Sequence, residues 1–420
     1  MKKYNLIVAG GGFAGVAAAI SGARLGLAVL IIEKSNNLGG AATNCLVNPF
    51  MPYWTNITVD GKKEKMNLSE GIFKEIVTNL HDMGAIDLAN MVFQEEYLKL
   101  LLNRMVKKEN IDILFHSYLI ESKAEDKELK SITVANKSGN IQLEADYFID
   151  CTGDADLAHL SGCPTKLGRD SDGFCQPMTL CFRAANVDIE KYKKIKSEID
   201  KIYKEHQKAG KIKNIREDVL IFHNLVDGVL HFNSTRVVKK SPIDAFSVTE
   251  AEIDAREQVF ELFNFLKDNI EGFENSQLIM TAAQIGVRES RKIEGVYKLT
   301  QEDLVACTKF EDSVAAGNYD IDIHNPTGSG TSHYYFKEGE YYTIPYRSLL
   351  PKDFNNLLVA GRCISATHEA QASIRIIPIV CCLGEAAGTA AAIACKDKLP
   401  APEISIEKLK TQLEKQNCFI

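Results

Sequence analysis

A short apolar run, Asn5-Leu-Ile-Val-Ala9, opens directly into Gly10-Gly-Gly12-Phe13-Ala14-Gly15, and that junction leaves the chain few folds to choose from. A G-x-G-x-x-G turn between a strand and a helix of small residues is the start of a dinucleotide-binding βαβ unit. Gly10 permits the sharp turn out of the strand, Gly12 lets the backbone approach a pyrophosphate, and Gly15 lets the helix lie close on the sheet. The pyrophosphate then rests on the helix N-terminus, where free N–H groups and the positive end of the helix dipole favour negative charge. Ala17, Ala18, Ala19 and Gly22 keep that helix slim, and Gly26 ends it. Residues 28–32 predict a second strand closing on Glu33, whose carboxylate can accept both ribose hydroxyls, with Lys34 opening the loop that follows.

At 420 residues the chain has room for about two to three domains. Its 49 basic and 56 acidic residues give a net charge of −7, which offers no field for nucleic acid or an anionic membrane surface. The apolar run after Met1 ends in the glycine turn, so it is a strand rather than an export signal, and a cytoplasmic protein is expected. The alanine-rich segment 379–395 is interrupted by Gly384, Glu385 and Gly388 and reads as a buried helix, not a membrane span. Eleven cysteines are scattered without C-x-x-C spacing, which suggests reduced thiols and supports no metal site.

Further along, residues 68–82 and 94–108 carry apolar positions at helical spacing, and residues 111–115 predict a third parallel strand. Residues 118–122, 131–136 and 141–145 read as a β-meander, after which 147–150 resumes the sheet and ends in Cys151-Thr152-Gly153-Asp154. From about Cys163 the pattern changes to charged amphipathic helices at 188–208 and 249–267, alternating with β-like runs at 219–222 and 229–232. A buried strand at 356–361 and a long helix at 377–396 then restore the first pattern. The fold class is therefore α/β: a Rossmann-like dinucleotide-binding domain with a parallel sheet and an inserted meander, built from residues 1–162 and 341–420. An inserted α+β substrate domain, residues 163–340, completes it.

Taken together, these motifs resemble the FAD-dependent oxidoreductases of the glutathione-reductase type, and more narrowly a bacterial and archaeal family known only as FAD-dependent oxidoreductases. The resemblance runs through Gly10 to Thr43, Phe148 to Asp154, Ile285 to Gly295, Tyr342 to Leu350, and Leu357 to Gly388. It implies FAD as the cofactor, with Gly39, Gly40, Ala41 and Thr43 along the pyrophosphate and ribityl path. By the same resemblance Thr152 and Gly153 flank the adenosine half, Leu119 touches adenine through its backbone, and Gly361-Arg362 approaches the ribityl phosphate side. The backbone at Ile374-Arg375 would face the flavin, where an arginine raises its potential.

Catalytic candidates are fewer and less sharply marked. Arg288 and Arg291, three apart, share a face if their segment is helical, and they either clamp a carboxylate substrate or pair with Glu289 and Glu294. Arg375 is a candidate for an electrostatic role toward flavin or substrate. His333 and His368 are candidates for proton transfer, and Cys45 is a candidate thiol whose simpler reading is packing. No second G-x-G-x-x-G follows a strand, so a nicotinamide domain is not expected.

The expected function is hydride transfer between a small organic substrate and non-covalent FAD at the domain interface, with an external electron donor or acceptor and an oligomer both open. The alternatives are a non-redox dinucleotide-binding protein of the same fold, as in thiazole-forming relatives, and the flavin subunit of an electron-transfer complex.

Overall fold

The computed structural model describes residues 3–420. Strands β1 (Tyr4–Ala9) and β2 (Val29–Ile32) run parallel, joined by helix α1 (Phe13–Arg24), with Val8 opposite Ile31. Helix α2 (Glu95–Lys108) leads into β3 (Asp112–Leu114), which adds to β2 in parallel. Next, β4 (Tyr118–Glu125) and β5 (Glu128–Asn136) form an antiparallel hairpin. Strand β6 (Gly139–Asp150) begins antiparallel to β5 and ends parallel to β1, so one strand serves both the meander and the central sheet. The expected separate segments 141–145 and 147–150 are this single strand. Asp146 does not break it, because its carboxylate accepts from Asn5 Nδ2 at 2.8 Å.

The insertion carries a four-stranded antiparallel sheet made of β7 (Phe182–Ala185), β8 (Ile221–His223), β9 (Leu230–Phe232) and, after helix α3 (Ala245–Asn269), β10 (Gln277–Thr281). Alternation along β9 sends Phe232 onto Phe182, rings stacked at 4.5 Å, and buries both against Ala251, Ala255, Val259 and Leu262 of α3. Helix α3 starts earlier than its apolar spacing suggests, because the Asp244 carboxylate caps it by accepting from the Ser247 amide at 2.8 Å. The helix expected at 188–208 is interrupted by a 3₁₀ turn at Lys196–Glu198 containing Ser197, a weak helix former.

A hairpin of β11 (Ile321–His324) and β12 (Thr331–Tyr334) follows, and β13 (Leu357–Val359) then rejoins the central sheet beside β6. The parallel order is β3-β2-β1-β6-β13. Short helix α4 (His368–Ile374) precedes α5 (Ile377–Asp397), which lies along α1. The contact is close because both helices are lined by small residues: a β-carbon on Gly388 would stand 2.1 Å from the Ala18 carbonyl oxygen. Helix α5 is long and apolar enough to cross a membrane, but 89% of its most apolar window is buried within the fold.

Buried side chains divide into two cores. One joins the two chain ends and also takes in Ile293, Leu299, Leu304, Val314 and Ile321. The other is formed by Leu46 with residues 178–285, so the independent core of the insertion is narrower than the segment 163–340.

Candidate active site

Two glycine turns from different parts of the chain press together at the end of β1. The Gly39 amide donates to the Gly11 carbonyl at 2.9 Å, and a β-carbon on Gly40 would lie 2.9 Å from the Gly12 Cα. Gly12 caps α1 with no side chain bonded to the helix start, which leaves the first amides of α1 for a ligand. Behind them, Gly15 is required by closeness, since a β-carbon there would come within 1.8 Å of the Gly10 carbonyl oxygen. On the open side, a β-carbon at Gly12 would meet nothing nearer than 3.9 Å.

Around this cradle the polar groups are held in fixed positions. Buried Glu33 accepts from the Gly11 amide and the Ser35 amide, each at 2.7 Å, and the Ser117 amide donates to its carbonyl at 3.1 Å. That last bond brings the start of β4, with Leu119, to the Glu33 end of the cradle. Asp150 is fully buried and accepts from the Thr152 amide, the Thr152 hydroxyl and the Ala158 amide. Burial raises its carboxyl to about 6 against the opposing pull of those bonds, and the bonds shape the Thr152-Gly153 turn. Arg362 lies against Gly153, pairs with Asp154 at 2.7 Å, and keeps a buried Nε without a partner.

Other residues expected here serve the frame. Phe13 packs 5.6 Å from Phe50, Thr43 donates to the Leu38 carbonyl at 2.8 Å, and Ala14 and Ile374 are buried. Ala41 is half-buried, Lys34 is exposed, and Gly361 takes φ +106° immediately before Arg362.

A second polar cluster joins the insertion to α4. Arg236, 2% exposed, donates to His324 Nδ1 at 2.9 Å, and His324 Nε2 lies 3.3 Å from Asp322 Oδ2. Burial, then the charge of Arg288, push His324 down to about 3, so it is neutral and donates through Nε2 to Asp322. Arg375 reaches the same Asp322 oxygen at 3.2 Å and keeps a buried Nε without a partner. His333, at the exposed end, has Nδ1 2.5 Å from Asp320. Asp320, Asp322 and His333 gather their ligand atoms within 4.8 Å, a grouping the linear spacing did not suggest.

The arginine pair expected from the sequence does not share a helical face. Arg288 lies in a loop whose neighbour Gly286 bridges to Thr179, while Arg291 begins a short strand. Arg291 bonds the Asp154 carbonyl at 2.8 Å and pairs with Asp156, and Arg288 bonds the Pro177 carbonyl at 2.8 Å and the Thr179 hydroxyl at 2.5 Å. Neither takes Glu289, which is fully buried between Lys292 at 2.5 Å and His368 at 2.7 Å. Burial pushes the Glu289 carboxyl up, but His368 and Lys292 outweigh it and hold it below the usual range. His368 is thereby part of a buried polar cluster. Cys45 donates to the Ile285 carbonyl at 3.6 Å, and burial pushes its thiol up to about 11, as packing rather than reactivity requires.

The model of one family, described as FAD dependent oxidoreductase, matches residues 5–413. The chain belongs to that family. Its cofactor is FAD. Similar solved structures include a geranylgeranyl bacteriochlorophyll reductase-like protein from Thermoplasma acidophilum, 13% identical, covering 99% of this chain and 83% of the other with a TM-score of 0.47. Another is the p-nitrophenol 4-monooxygenase of Pseudomonas putida, 10% identical, covering 98% and 86% with a TM-score of 0.45. A flavin-dependent brominase is 10% identical, covering 99% and 84% with a TM-score of 0.46.

FAD fits the residues present. The uncapped start of α1 beside two side-chain-free turns suits the pyrophosphate, the fixed Glu33 carboxylate suits a ribose, and Arg362 has an unspent donor at the edge of the cradle. Sequence reasoning missed Asp322, His324 and Arg236 in this FAD-dependent oxidoreductase. Their only linear signal is the alternation of Asp320, Asp322 and His324 in and beside one strand.

Proposed function

We propose that this flavoenzyme transfers a hydride between a small organic substrate and non-covalently held FAD, at the junction between the FAD-binding domain and the insertion. Bound FAD supplies the two-electron acceptor or donor. The observation that carries the reading is the junction itself: Arg288 from the insertion side is tied by its carbonyl to Gln371 Nε2 of α4 at 2.8 Å, on the element leading to Ile374 and Arg375. With the Arg375–Asp322 pair at 3.2 Å, polar side chains from both sides meet where a substrate would be enclosed.

Within that junction, His324 and Asp322 fix Arg375, and Arg375 sets the local charge. His333 is the histidine available to exchange a proton, since Asp320 holds its Nδ1 and leaves Nε2 for the transfer. Lys34 and Arg362 stand at the cofactor end. All eleven cysteines are free, which supports a reducing, cytoplasmic setting.

The test is the visible spectrum of purified protein, followed anaerobically. A flavin spectrum that bleaches with an organic metabolite and recovers with an acceptor supports the reading. Protein that binds no FAD, or whose flavin is never bleached by any small molecule, overturns it.

A further inference from the structure

Arginines near the junction are matched to carboxylates with one exception. Arg216 pairs with Asp218 at 2.6 Å, Arg236 with Glu217 at 3.4 Å, Arg362 with Asp154 at 2.7 Å and Arg375 with Asp322 at 3.2 Å. Arg288 has only neutral acceptors: the Pro177 carbonyl, the Thr179 hydroxyl and, at 3.5 Å, Asn233 Oδ1. Among the described residues no carboxylate comes within 4.0 Å of it.

A half-buried cation with no carboxylate in contact is costly, and the surroundings increase that cost. Burial, then the charges of Arg375 and Arg216, lower the Arg288 guanidinium to about 9, against the more distant pull of Asp322. Those neighbours repel a proton and attract an anion. The bonds already made also define where an anion can attach. Nη1 is committed to Pro177 and Thr179, whereas Nη2 has one long contact and Nε is free of any bond. The Nε–Nη2 edge is the side on which a guanidinium grips a carboxylate with two parallel bonds. Arg375 also has its Nε unspent, and the Gln371 bond to the Arg288 carbonyl holds both arginines in one frame.

Resting on the reading above, we propose that Arg288, assisted by Arg375, anchors a carboxylate of the substrate, so that the enzyme acts on a small carboxylic acid. The carboxylate supplies the direct ionic contact that Asp322, already paired with Arg375, does not give Arg288. It also fixes one end of the substrate beside the junction and so orients the rest of it.

The test titrates the FAD-loaded protein with sodium acetate, succinate and benzoate at constant ionic strength, reading the visible flavin difference spectrum. At least one should give a saturable change, with the matching neutral amide weaker by about 10-fold or more. Arg288→Gln and Arg375→Gln should each weaken the response by about 10-fold or more, and Arg288→Lys should keep part of it. Retained FAD absorbance and a cooperative melt confirm that a variant is folded; if Arg288→Gln does not fold, Arg288→Lys and Arg375→Gln carry the comparison. A wild-type protein that binds FAD and bleaches with a metabolite, yet ignores all three carboxylates, overturns the anchor while leaving the hydride-transfer reading intact. So does a response that survives the arginine substitutions. If instead Arg288→Gln shifts the flavin midpoint potential and no carboxylate binds, the counter-charge belongs to the flavin and the proposal fails.

Discussion

Gly384 on α5 faces Ala14 on α1 so closely that a β-carbon at Gly384 would stand 2.0 Å from the Ala14 carbonyl oxygen. Ala14 is two residues from the uncapped helix start, so the fit between these helices sets where the cofactor cradle lies. Gly384→Val must push the helices apart and is expected to cost about 3 kcal/mol of stability, at the upper end for overpacking. Urea unfolding measures the loss, and FAD affinity should fall with it. An unchanged midpoint would show that the helices can separate freely.

Glu33 holds the Gly11 and Ser35 amides and is the carboxylate suited to the ribose. Glu33→Ala is expected to weaken FAD binding by roughly 10- to 100-fold, since charge-assisted hydrogen bonds contribute about 1.5–3 kcal/mol. Flavin fluorescence during titration of apoprotein reads this directly. Glu33→Gln should retain more affinity than the alanine variant, because its amide oxygen still accepts one bond.

The buried triad of Glu289, Lys292 and His368 predicts a loss that can be reversed. Glu289→Leu leaves Lys292 as an unpaired buried cation and is expected to destabilise the protein by about 3–5 kcal/mol. Adding Lys292→Met should recover most of that. Urea midpoints of the two variants check the pair, and a double variant as unstable as the single one would contradict it.

Two buried histidines should withdraw stability as pH falls below about 6.5. Burial, then nearby arginines, lower His324 and His231 to about 3 from 6.5. Between those values the unfolded chain binds more protons, so each histidine's contribution is present above 6.5 and is lost by roughly 1.4 kcal/mol per pH unit as pH falls. Asp150, raised to about 6 from 3.8, works in the opposite direction and gains as pH falls through that window. Asp156, Asp320 and Glu385, also raised by burial, oppose the histidines as well, whereas Glu217, Glu289 and Asp322, held below the usual range, add to the loss at the acid end. Melting temperatures from pH 7 to pH 4 measure the slope, and His324→Gln should flatten it.

Much of the cofactor end is legible in the linear order because its parts are local: strand, turn, helix and acid lie within the first 33 residues. The Gly39-Gly40 turn is placed on the cofactor path by family resemblance and the Thr152-Gly153 loop by its position at the end of a sheet strand, while the approach of Gly40 to Gly12 and of Thr152 to Gly10 is a fact of three dimensions. The substrate end was far less readable. Arg236 meets His324 across 88 positions and Arg375 meets Asp322 across 53, separations at which no periodicity connects the partners. Arg288 and Arg291 show the same difficulty in reverse. Their spacing suggests a shared face, but Arg288 lies in a loop and Arg291 opens a strand, which sends them to different neighbours.

The central sheet takes β1 from one end of the chain and β13 from the other, and α5 completes the back of α1. During synthesis, the glycine turn therefore leaves the ribosome long before the surface that holds it in place. Until α5 has been made, the side of α1 that it covers stays open to water. A fragment that stops before Gly384 is therefore expected to hold FAD poorly, because the α1 surface that α5 covers is left open to water.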